Sequence, residues 1–492
     1  MSPKNLRQLL AALLTLSISI SISACGDSSD PDVVADDVTT STAADTTVDD
    51  GSDSIPALDF DGAEILIGTP DNTHYNGDLT TDEQNGEVFN DALWSREQNI
   101  EERFNVNIEE EIFPNGTSNV LRDNIIKEVA AGDCTYDFCM MTDRYALQLA
   151  LQNTIYDMNE IPYIDTEKPY WTRQINDAMR VGGRLYFLFG DISMTALDYT
   201  HLIAFNSRLI SDYSLENPYD LVRSGEWTYD KFADLAKAVT SDLNGNSIQD
   251  EDDMYGFVSA PKQILPCFWI AAGEQSIKKD DDGYPYFSIP TDTHFADVFE
   301  RIYELIWDTN IWYVNTNDSN TYYEDLRQFQ EGHSLFAAHT LYSVGQLRDM
   351  VDDFGVLPYP KWDENQTDYY SRVEGGAQVC IVPITNADTE VAGAVIEAMC
   401  SYSYQNVIPA YYEMTIKAKY SRDDDSAEMF DLILKNRTYD LGDTFWCEQI
   451  RDGIFAQMFK KNDRTLMSTM ESKRAAIETE LEKVNSFFRE LE

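Results

Sequence analysis

Short apolar runs alternate along the chain with stretches in which apolar residues recur every three or four positions. The run AEILIGT at 63–69 predicts a buried strand, and FNVNIEEEIF at 104–113 predicts a second one. Between them, the helical spacing of apolar residues from Val88 to Ile100 predicts a helix. This alternation of strands and helices favours α/β architecture.

The same alternation continues through the middle of the chain. A helix is predicted from Ser118 to a stop at Gly132, and another from 227 to 239 with its cap at Thr228. After residue 405 the pattern is mostly helical. Further strand-like runs are YDFCMMT (136–142), RLYFLFG (184–190), HLIAFN (201–206), YGFVSA (255–260), SLFAAH (334–339), FGVLPYP (354–360) and AQVCIVP (377–383).

The first 25 residues have the layout of a secretory signal. Lys4 and Arg7 precede an uncharged apolar run from residue 9 to 23, which is too short to span a bilayer comfortably. The run ends in Ile-Ser-Ala-Cys at 22–25, which resembles the bacterial lipobox. That resemblance implies that Cys25 becomes the mature N-terminus and carries a diacylglycerol, with acyl chains such as palmitate. The alternative is an incidental thiol behind an ordinary secretory signal.

The segment that follows is acidic and has no means of forming a core. Residues 26–54 contain nine Asp, no Lys or Arg and no aromatic residue. Such a composition predicts a solvated tether. We therefore assign 1–24 to a signal peptide and 25–57 to a lipid-anchored disordered linker.

Composition limits the possible partners, the number of lobes and the state of the cysteines. The formal net charge of -51 would repel nucleic acids, which excludes them as partners. About 435 residues follow the tether, more than one compact core usually holds, so two lobes are expected. Six cysteines lie beyond Cys25, none in a CxxC or Cys/His pattern, which favours buried free thiols. A disulfide between Cys134 and Cys139 remains the alternative.

Several stretches together resemble a known family. They are GEWTYDKFADLAKAVTSD, NSIQDEDDMYGF, EGHSLFAAHTLYSVGQLRDMVDDFGVLPYPKWDENQTDYYS and EGGAQVCIVPITN. Their order after a lipobox resembles the extracellular solute-binding lipoproteins of ABC importers, specifically the carbohydrate-type, family 1-like group of Gram-positive bacteria, over roughly residues 60–460. The resemblance implies a type II, periplasmic-binding-protein-like clamshell with a helical C-terminal region, each lobe being a sheet flanked by helices. We expect lobe 1 at 58–187 and 360–402, and lobe 2 at 188–359 and 403–492.

The resemblance also implies a function. A monomer held by its N-terminal lipid at the extracellular face of the cell membrane would bind a sugar or oligosaccharide in the cleft and deliver it to the permease subunits of an ABC transporter. It would not be an enzyme and would have no catalytic cofactor. One alternative is a surface sensor or adhesin that never hands its ligand on. Another is a secreted glycoside hydrolase, for which 87 Asp and Glu always offer a suitable pair.

Candidate ligand contacts follow from strand ends, because ligands of open α/β sheets bind beyond the carboxyl ends of strands. Aromatic rings and planar polar groups suit a sugar. The resemblance supports these loops and adds Trp269 and the turn at 374–376. The candidates are Asp71, Asn72, His74, Tyr75, Asp143, Arg144, Asp191, Trp269, Glu374, Gly375 and Gly376. The alternatives are a helix N-cap for Asp143 and core packing for Trp269.

One acidic loop has the spacing of a calcium site. DLNGNSIQDEDD at 242–253 places oxygen ligands at positions 1, 3, 5, 7, 9 and 12 of a twelve-residue loop. These are Asp242, Asn244, Asn246, the Ile248 carbonyl, Asp250 and Asp253. Position 6 is Ser247 rather than Gly, and position 12 is Asp rather than the longer Glu. The spacing predicts a structural Ca²⁺; the alternative is an acidic surface turn without an ion.

Overall fold

The computed structural model describes residues 50–70, 79–113, 118–247, 250–313, 321–412 and 424–491. The chain divides into two units, 1–48 and Asp49–Glu492, and the second is the folded body. Four site candidates, Asp71, Asn72, His74 and Tyr75, lie outside the described residues, as do the signal peptide, Cys25 and Ile248. The predictions made for them stay predictions.

The described residues contain both short strands and many helices. The strands are β1 Ala63–Pro70, β2 Val106–Phe113, β3 Phe138–Thr142, β4 His201–Asn206, β5 Tyr255–Val258, β6 Lys278–Lys279, β7 Pro285–Tyr286, β8 Ser334–Thr340, β9 Phe354–Leu357, β10 Ser371–Arg372, β11 Gln378–Ile381 and β12 Arg437–Thr438. The α-helices are Val88–Phe104, Ser118–Ala131, Asp143–Ala150, Arg173–Met179, Thr195–Asp198, Ser207–Asp212, Pro218–Ser224, Tyr229–Val239, Pro261–Ala271, Thr293–Tyr303, Thr321–Gln330, Leu341–Val344, Thr389–Tyr402, Ile408–Tyr411, Asp424–Lys435, Leu441–Thr444, Ala456–Lys460 and Leu466–Arg489. Three π-helical segments, Glu304–Asp308, Ser403–Val407 and Glu448–Phe455, continue or join these helices.

The first sheet has the strand order β11-β3-β1-β2. β1 pairs in parallel with β2 from Ala63↔Val106 to Pro70↔Phe113, and it also runs parallel to β3. β11 is antiparallel to β3, with Gln378 opposite Thr142. The carboxyl end of β3 and the start of β11 therefore share one edge of the sheet.

The second sheet has the order β5-β8-β4-β9. β4 is antiparallel to both neighbours, with His201 opposite Thr340 of β8, and β5 is parallel to β8. Every residue of β4, β5 and β8 is buried, which explains why these strands read as continuous apolar runs in the sequence. The helix Tyr229–Val239 packs directly on β5. Gly256 permits this close approach, since a Cβ there would lie 2.4 Å from the Ala236 carbonyl oxygen.

The α/β prediction is confirmed, and one predicted strand is wrong. The run RLYFLFG at 184–190 forms only isolated bridges, of Arg184 with Val181, of Leu188 with Cys380 and of Gly190 with Trp171. Its apolar residues are buried against the core rather than hydrogen-bonded in a ladder. β9 stops at Leu357 because two prolines follow within three residues and lack the N–H that a ladder needs.

The six cysteines beyond Cys25 are free thiols. Five are buried, as predicted, and Cys134 is exposed. The alternative disulfide between Cys134 and Cys139 is therefore not formed. Burial raises the pKa of the Cys139 thiol well above its ordinary value, which makes it a poor nucleophile.

The folded body begins earlier than the expected end of the linker at residue 57. Arg103 donates to both carboxylate oxygens of Asp53 at 2.7 Å, and the Asp53 amide donates to Ser401 Oγ at 3.1 Å. Gly51 is buried with φ +78°, and a Cβ there would collide with the ring of Tyr404 at 2.3 Å. Residues 50–57 are thus packed against the body. No helix in the described ranges is both long and apolar enough to cross a membrane.

Candidate functional site

Backbone contacts join the edges of the two sheets. Thr200, just before β4, forms a bridge with Val373, and the Glu374 amide donates to the Tyr199 carbonyl at 3.0 Å. The amide of Leu341, after β8, donates to the Thr200 carbonyl at 2.8 Å. The segment that leads into β11 of the first sheet therefore lies beside the start of β4 and the end of β8 in the second.

Asp143 is the first residue of the helix that follows β3, and it is fully buried. Its carboxylate accepts the Arg144 amide at 2.5 Å and the Tyr439 hydroxyl at 2.7 Å. Burial raises the pKa of Asp143 to about 7, although the bond from Tyr439 acts in the opposite direction. Thr142 occupies the N-cap position, so the N-cap alternative for Asp143 does not describe this structure.

Tyr439 links two of the predicted residues. Its hydroxyl lies 2.7 Å from Asp143 Oδ2 and 3.2 Å from the backbone oxygen of Glu374. Burial and the neighbouring Asp143 carboxylate raise the pKa of Tyr439 well above its usual value, so the hydroxyl remains a donor. Candidates from chain positions more than two hundred residues apart are thereby brought together.

The Glu374 side chain points into the same region. Its carboxylate accepts Gln263 Nε2 at 3.0 Å and lies 3.4 Å from His201 Nε2. Arg451 Nη1 is 3.6 Å away. Burial raises the pKa of Glu374, but the contact with His201 and the charges of Arg372 and Arg451 hold that pKa well below its usual range.

Arg372 of β10 is the centre of the polar network and is fully buried. Its Nε donates to Asp443 Oδ2 at 2.6 Å, and its Nη1 donates to Gln263 Oε1 at 2.6 Å. Nη1 also lies 2.8 Å from His201 Nε2. We call the connected set the junction cluster: Asp143, His201, Gln263, Arg372, Glu374, Tyr439, Asp443 and Arg451.

Several buried polar atoms in or beside the junction cluster have no hydrogen-bond partner within the described part of the chain. They are Arg144 Nε, His201 Nδ1, Arg372 Nη2, Arg451 Nη1, Asp443 Oδ1 and Thr444 Oγ1. Buried polar groups are nearly always bonded, so such a concentration marks a place where water or a ligand is expected. Donors and acceptors are both present, which suits hydroxyl groups.

Arg144 extends the cluster toward the helical C-terminal region. Its Nη1 lies 3.6 Å from Cys447 Sγ, and its guanidinium lies 5.7 Å from the ring centre of Tyr145. It is partly exposed, unlike Arg372. Of the cationic groups at the junction, Arg144 is therefore the one with the least restricted access to solvent.

The two glycines of the turn are explained by close packing. A Cβ on Gly375 would lie 2.9 Å from the Thr444 Cα atom. A Cβ on Gly376 would lie 3.1 Å from the ring of Tyr199. The backbone approach predicted for this turn occurs, but its partners are protein groups.

Two predicted residues lie apart from the cluster. Trp269 is 1% exposed, donates its indole N–H to Asp440 at 2.8 Å and packs 4.8 Å from the ring centre of Phe455. Core packing, the alternative for Trp269, describes this environment. Asp191 lines a separate cavity with Arg437.

The sequence reasoning missed most of the junction cluster. Arg372 lies only two positions before Glu374, so a search along the turn could have found it. His201 opens a predicted strand, but nothing in HLIAFN distinguishes its role. Tyr439 and Asp443 lie in a region interpreted as mostly helical, and no spacing rule connects either of them to Arg372.

The predicted calcium loop has the required bend, but its carboxylates accept hydrogen bonds from backbone amides of the loop itself. Ser247 adopts φ +61°, so position 6 takes the left-handed conformation that Gly usually supplies. Asp242 accepts the amides of Gly245 at 2.6 Å and Ser247 at 2.8 Å, and Asp253 accepts that of Leu243 at 3.0 Å. Among the described residues, no three acidic, His or Cys side chains are grouped closely enough to hold a metal. The calcium site stays a prediction.

Comparisons with known proteins identify the fold. No protein-family model matches the sequence, and no curated protein matches it. Solved structures do match: UspC of M. tuberculosis has 14% identity and a TM-score of 0.57, over 86% of this chain and 100% of that one. The sugar-binding protein MalE from Xanthomonas citri has 13% identity and a TM-score of 0.55, over 87% and 98%.

A third match is an ABC substrate-binding protein from Listeria monocytogenes in complex with cycloalternan, with 14% identity and a TM-score of 0.53, over 86% of this chain and 99% of that one. At such identities the likeness shows the fold. The chain has the two-lobed α/β fold of ABC-transporter solute-binding proteins, as the sequence predicted.

Proposed function

We propose that this protein is an extracellular substrate-binding lipoprotein that captures a sugar or oligosaccharide between its lobes and delivers it to the permease of an ABC importer. One observation carries the proposal: buried donors and acceptors that form no hydrogen bond with the described residues are concentrated at the junction cluster, where the edges of the two sheets meet. Sugar hydroxyls both donate and accept, so they complement these atoms. The sugar ligands named for proteins of the same fold support this class of solute.

The proposed mechanism is capture followed by closure. A solute in contact with groups from both sheets favours the closed form over the open one, since a ligand shifts an equilibrium by its difference in affinity for the two states. The permease then recognises the closed form. No covalent step occurs, and lipid at Cys25 holds the protein at the membrane surface while the solute is exchanged.

A thermal-shift and calorimetric screen tests the proposal. Purified residues 26–492 are titrated with glucose, maltodextrins of increasing length and cycloalternan. A cognate sugar is expected to bind saturably and raise the melting temperature, because it binds only the native state. Each sugar is recovered afterwards and its length is measured by mass spectrometry.

Arg144→Met is the informative variant, since Arg144 Nε forms no hydrogen bond with the described residues and the rest of this side chain is partly exposed. Loss of a charge-assisted hydrogen bond is expected to weaken sugar binding about tenfold. Arg474→Met, on the distant helix Leu466–Arg489, is the matched control and is expected to bind as the wild type does.

The alternatives give different results. Shortened sugars would identify a glycoside hydrolase. Saturable binding without any association with permease subunits in reconstituted membranes would favour a surface sensor or adhesin. Absence of saturable binding to every sugar would remove the carbohydrate assignment.

A further inference from the structure

One cavity is lined by residues from separate chain segments, none of which belongs to the junction cluster. It has a volume of about 570 Å³, within the usual range for small-molecule sites. Asp191 comes from the segment after 184–190, and Arg437 comes from β12. We call this space the crossing cavity.

The two charged groups at the crossing cavity face it without contacting each other. The Asp191 carboxylate accepts no hydrogen bond from the described residues and forms no ion pair with them. Arg437 donates only its Nε, to the Leu434 carbonyl at 3.0 Å, and neither Nη atom has a partner among those residues. Burial raises the pKa of Asp191 to about 7, although the charge of Arg437 acts to lower it. Burial lowers the pKa of Arg437, although the charge of Asp191 acts to raise it.

Asp191 and Arg437 are half-buried, and charges that are partly removed from water are costly unless a partner satisfies them. A guanidinium with two free Nη groups presents the fork that a carboxylate occupies in a bidentate manner. A carboxylate without donors accepts hydroxyl groups. Because the protein leaves a space between the two groups, a single small molecule with both functions fits the pair.

The remaining walls favour a negatively charged guest. Lys168, Arg173 and Lys435 also line the cavity, and Glu167 is the only other acidic residue among its lining residues. Arg173 and Glu167 are paired with each other at 2.5 Å. The cavity therefore has a net positive lining in a chain whose net charge is -51. Tyr404, Ile408 and Leu434 supply apolar surface for a carbon skeleton.

We propose that the crossing cavity binds a small hydroxylated carboxylate, such as a sugar acid, with its carboxylate on Arg437 and a hydroxyl group on Asp191. This site is separate from the sugar site proposed at the junction cluster. Its ligand is distinguished from a neutral sugar by the carboxylate and from a simple carboxylic acid by the hydroxyls.

Calorimetry with three probes tests the assignment. Gluconate has both functions, glucose lacks the carboxylate, and acetate lacks the hydroxyls. We expect gluconate to bind wild-type protein saturably and at least about tenfold more tightly than acetate. Arg437→Met is expected to weaken gluconate about tenfold or more, whereas Lys473→Met, an exposed charge on the C-terminal helix, leaves it unchanged.

Asp191→Asn supplies a second, nearly isosteric variant. It is expected to reduce the preference for gluconate over acetate while the carboxylate contact persists, and melting curves verify that each variant is folded. Binding of glucose at the junction cluster would survive Arg437→Met, so failure of this assignment is distinct from failure of the proposed function. Equal gluconate affinity in wild type and Arg437→Met, or an unchanged gluconate-to-acetate ratio in Asp191→Asn, would overturn it.

Discussion

The junction cluster and the crossing cavity hold charged groups in two different ways. In the junction cluster, Arg372 bonds directly to Asp443 at 2.6 Å, and both side chains are almost wholly inaccessible. In the crossing cavity, Asp191 and Arg437 share a space but do not touch. The comparison teaches that the separation of two charged groups indicates their role: direct partners hold chain segments together, whereas separated partners leave room for a third group.

The largest expected effect comes from breaking the paired charge. Arg372→Met removes the direct hydrogen-bonded partner of the buried Asp443, which keeps only Arg451 Nη1 at 3.6 Å, and should lower the free energy of unfolding by about 3 kcal/mol. Arg437→Met removes a charge that has no ion pair with the described residues and loses one hydrogen bond, so its cost should be about 1 kcal/mol. Urea denaturation of both variants measures the contrast. Equal losses would show that the two regions do not differ in this way.

The second-largest expected effect is a pH dependence of the free energy of unfolding, caused by Asp143 of the junction cluster. The pKa of Asp143 is raised from its ordinary 3.8 to about 7 in the folded protein. The folded state therefore binds this proton more tightly, so the stabilisation it gives is complete below pH 3.8 and is lost as pH rises through about 7. Asp143→Asn cannot ionise, and between pH 5 and 8 wild type should lose about 2 kcal/mol relative to it.

Urea midpoints at pH 5, 6, 7 and 8 measure that difference. Asp234→Asn, an exposed carboxylate on the helix Tyr229–Val239, is the control and should follow the wild-type profile. Parallel profiles for wild type and Asp143→Asn would contradict the assignment of the raised pKa to Asp143.

The smallest effect concerns a third arrangement of charge, the loop 242–253. Its carboxylates accept backbone amides, for example Asp242 from Ser247 at 2.8 Å, and calcium would have to replace some of these bonds. We expect millimolar Ca²⁺ to stabilise the protein by about 1 kcal/mol. Asp250→Asn should abolish the shift. A melting temperature that is indifferent to both Ca²⁺ and EDTA, with no calcium in the purified protein by elemental analysis, would rule the site out.

The sequence predicted the strands of the second sheet well because β4, β5 and β8 are buried on both faces. HLIAFN and SLFAAH have unbroken apolar centres for that reason, and the helix at Ser118–Ala131 has its start and its Gly132 stop where predicted. The same signal led to the wrong prediction of a strand at RLYFLFG, because burial in the core and burial in a sheet both produce a run of apolar residues.

The candidate site was predictable only where a strand end fixed it. Asp143 and Arg144 follow β3 directly, and the resemblance supplied Glu374. The Arg372–Asp443 pair joins positions 71 residues apart, and neither residue type nor spacing encodes such a contact. Asp191 was assigned by the same strand-end rule, but the run before it is not a strand of either sheet, and the residue lies in a different cavity.

The short ladder of β10 and β12 has a mechanical consequence. Ser371 is opposite Arg437, and Arg372 is opposite Thr438. Arg372 of the junction cluster is therefore adjacent in sequence to Ser371, which pairs with Arg437 of the crossing cavity. A guest that displaced one strand would act on the other across two residues rather than through a whole lobe. Thermodynamic reciprocity then requires that any guest in one place changes affinity in the other by the same factor as the reverse.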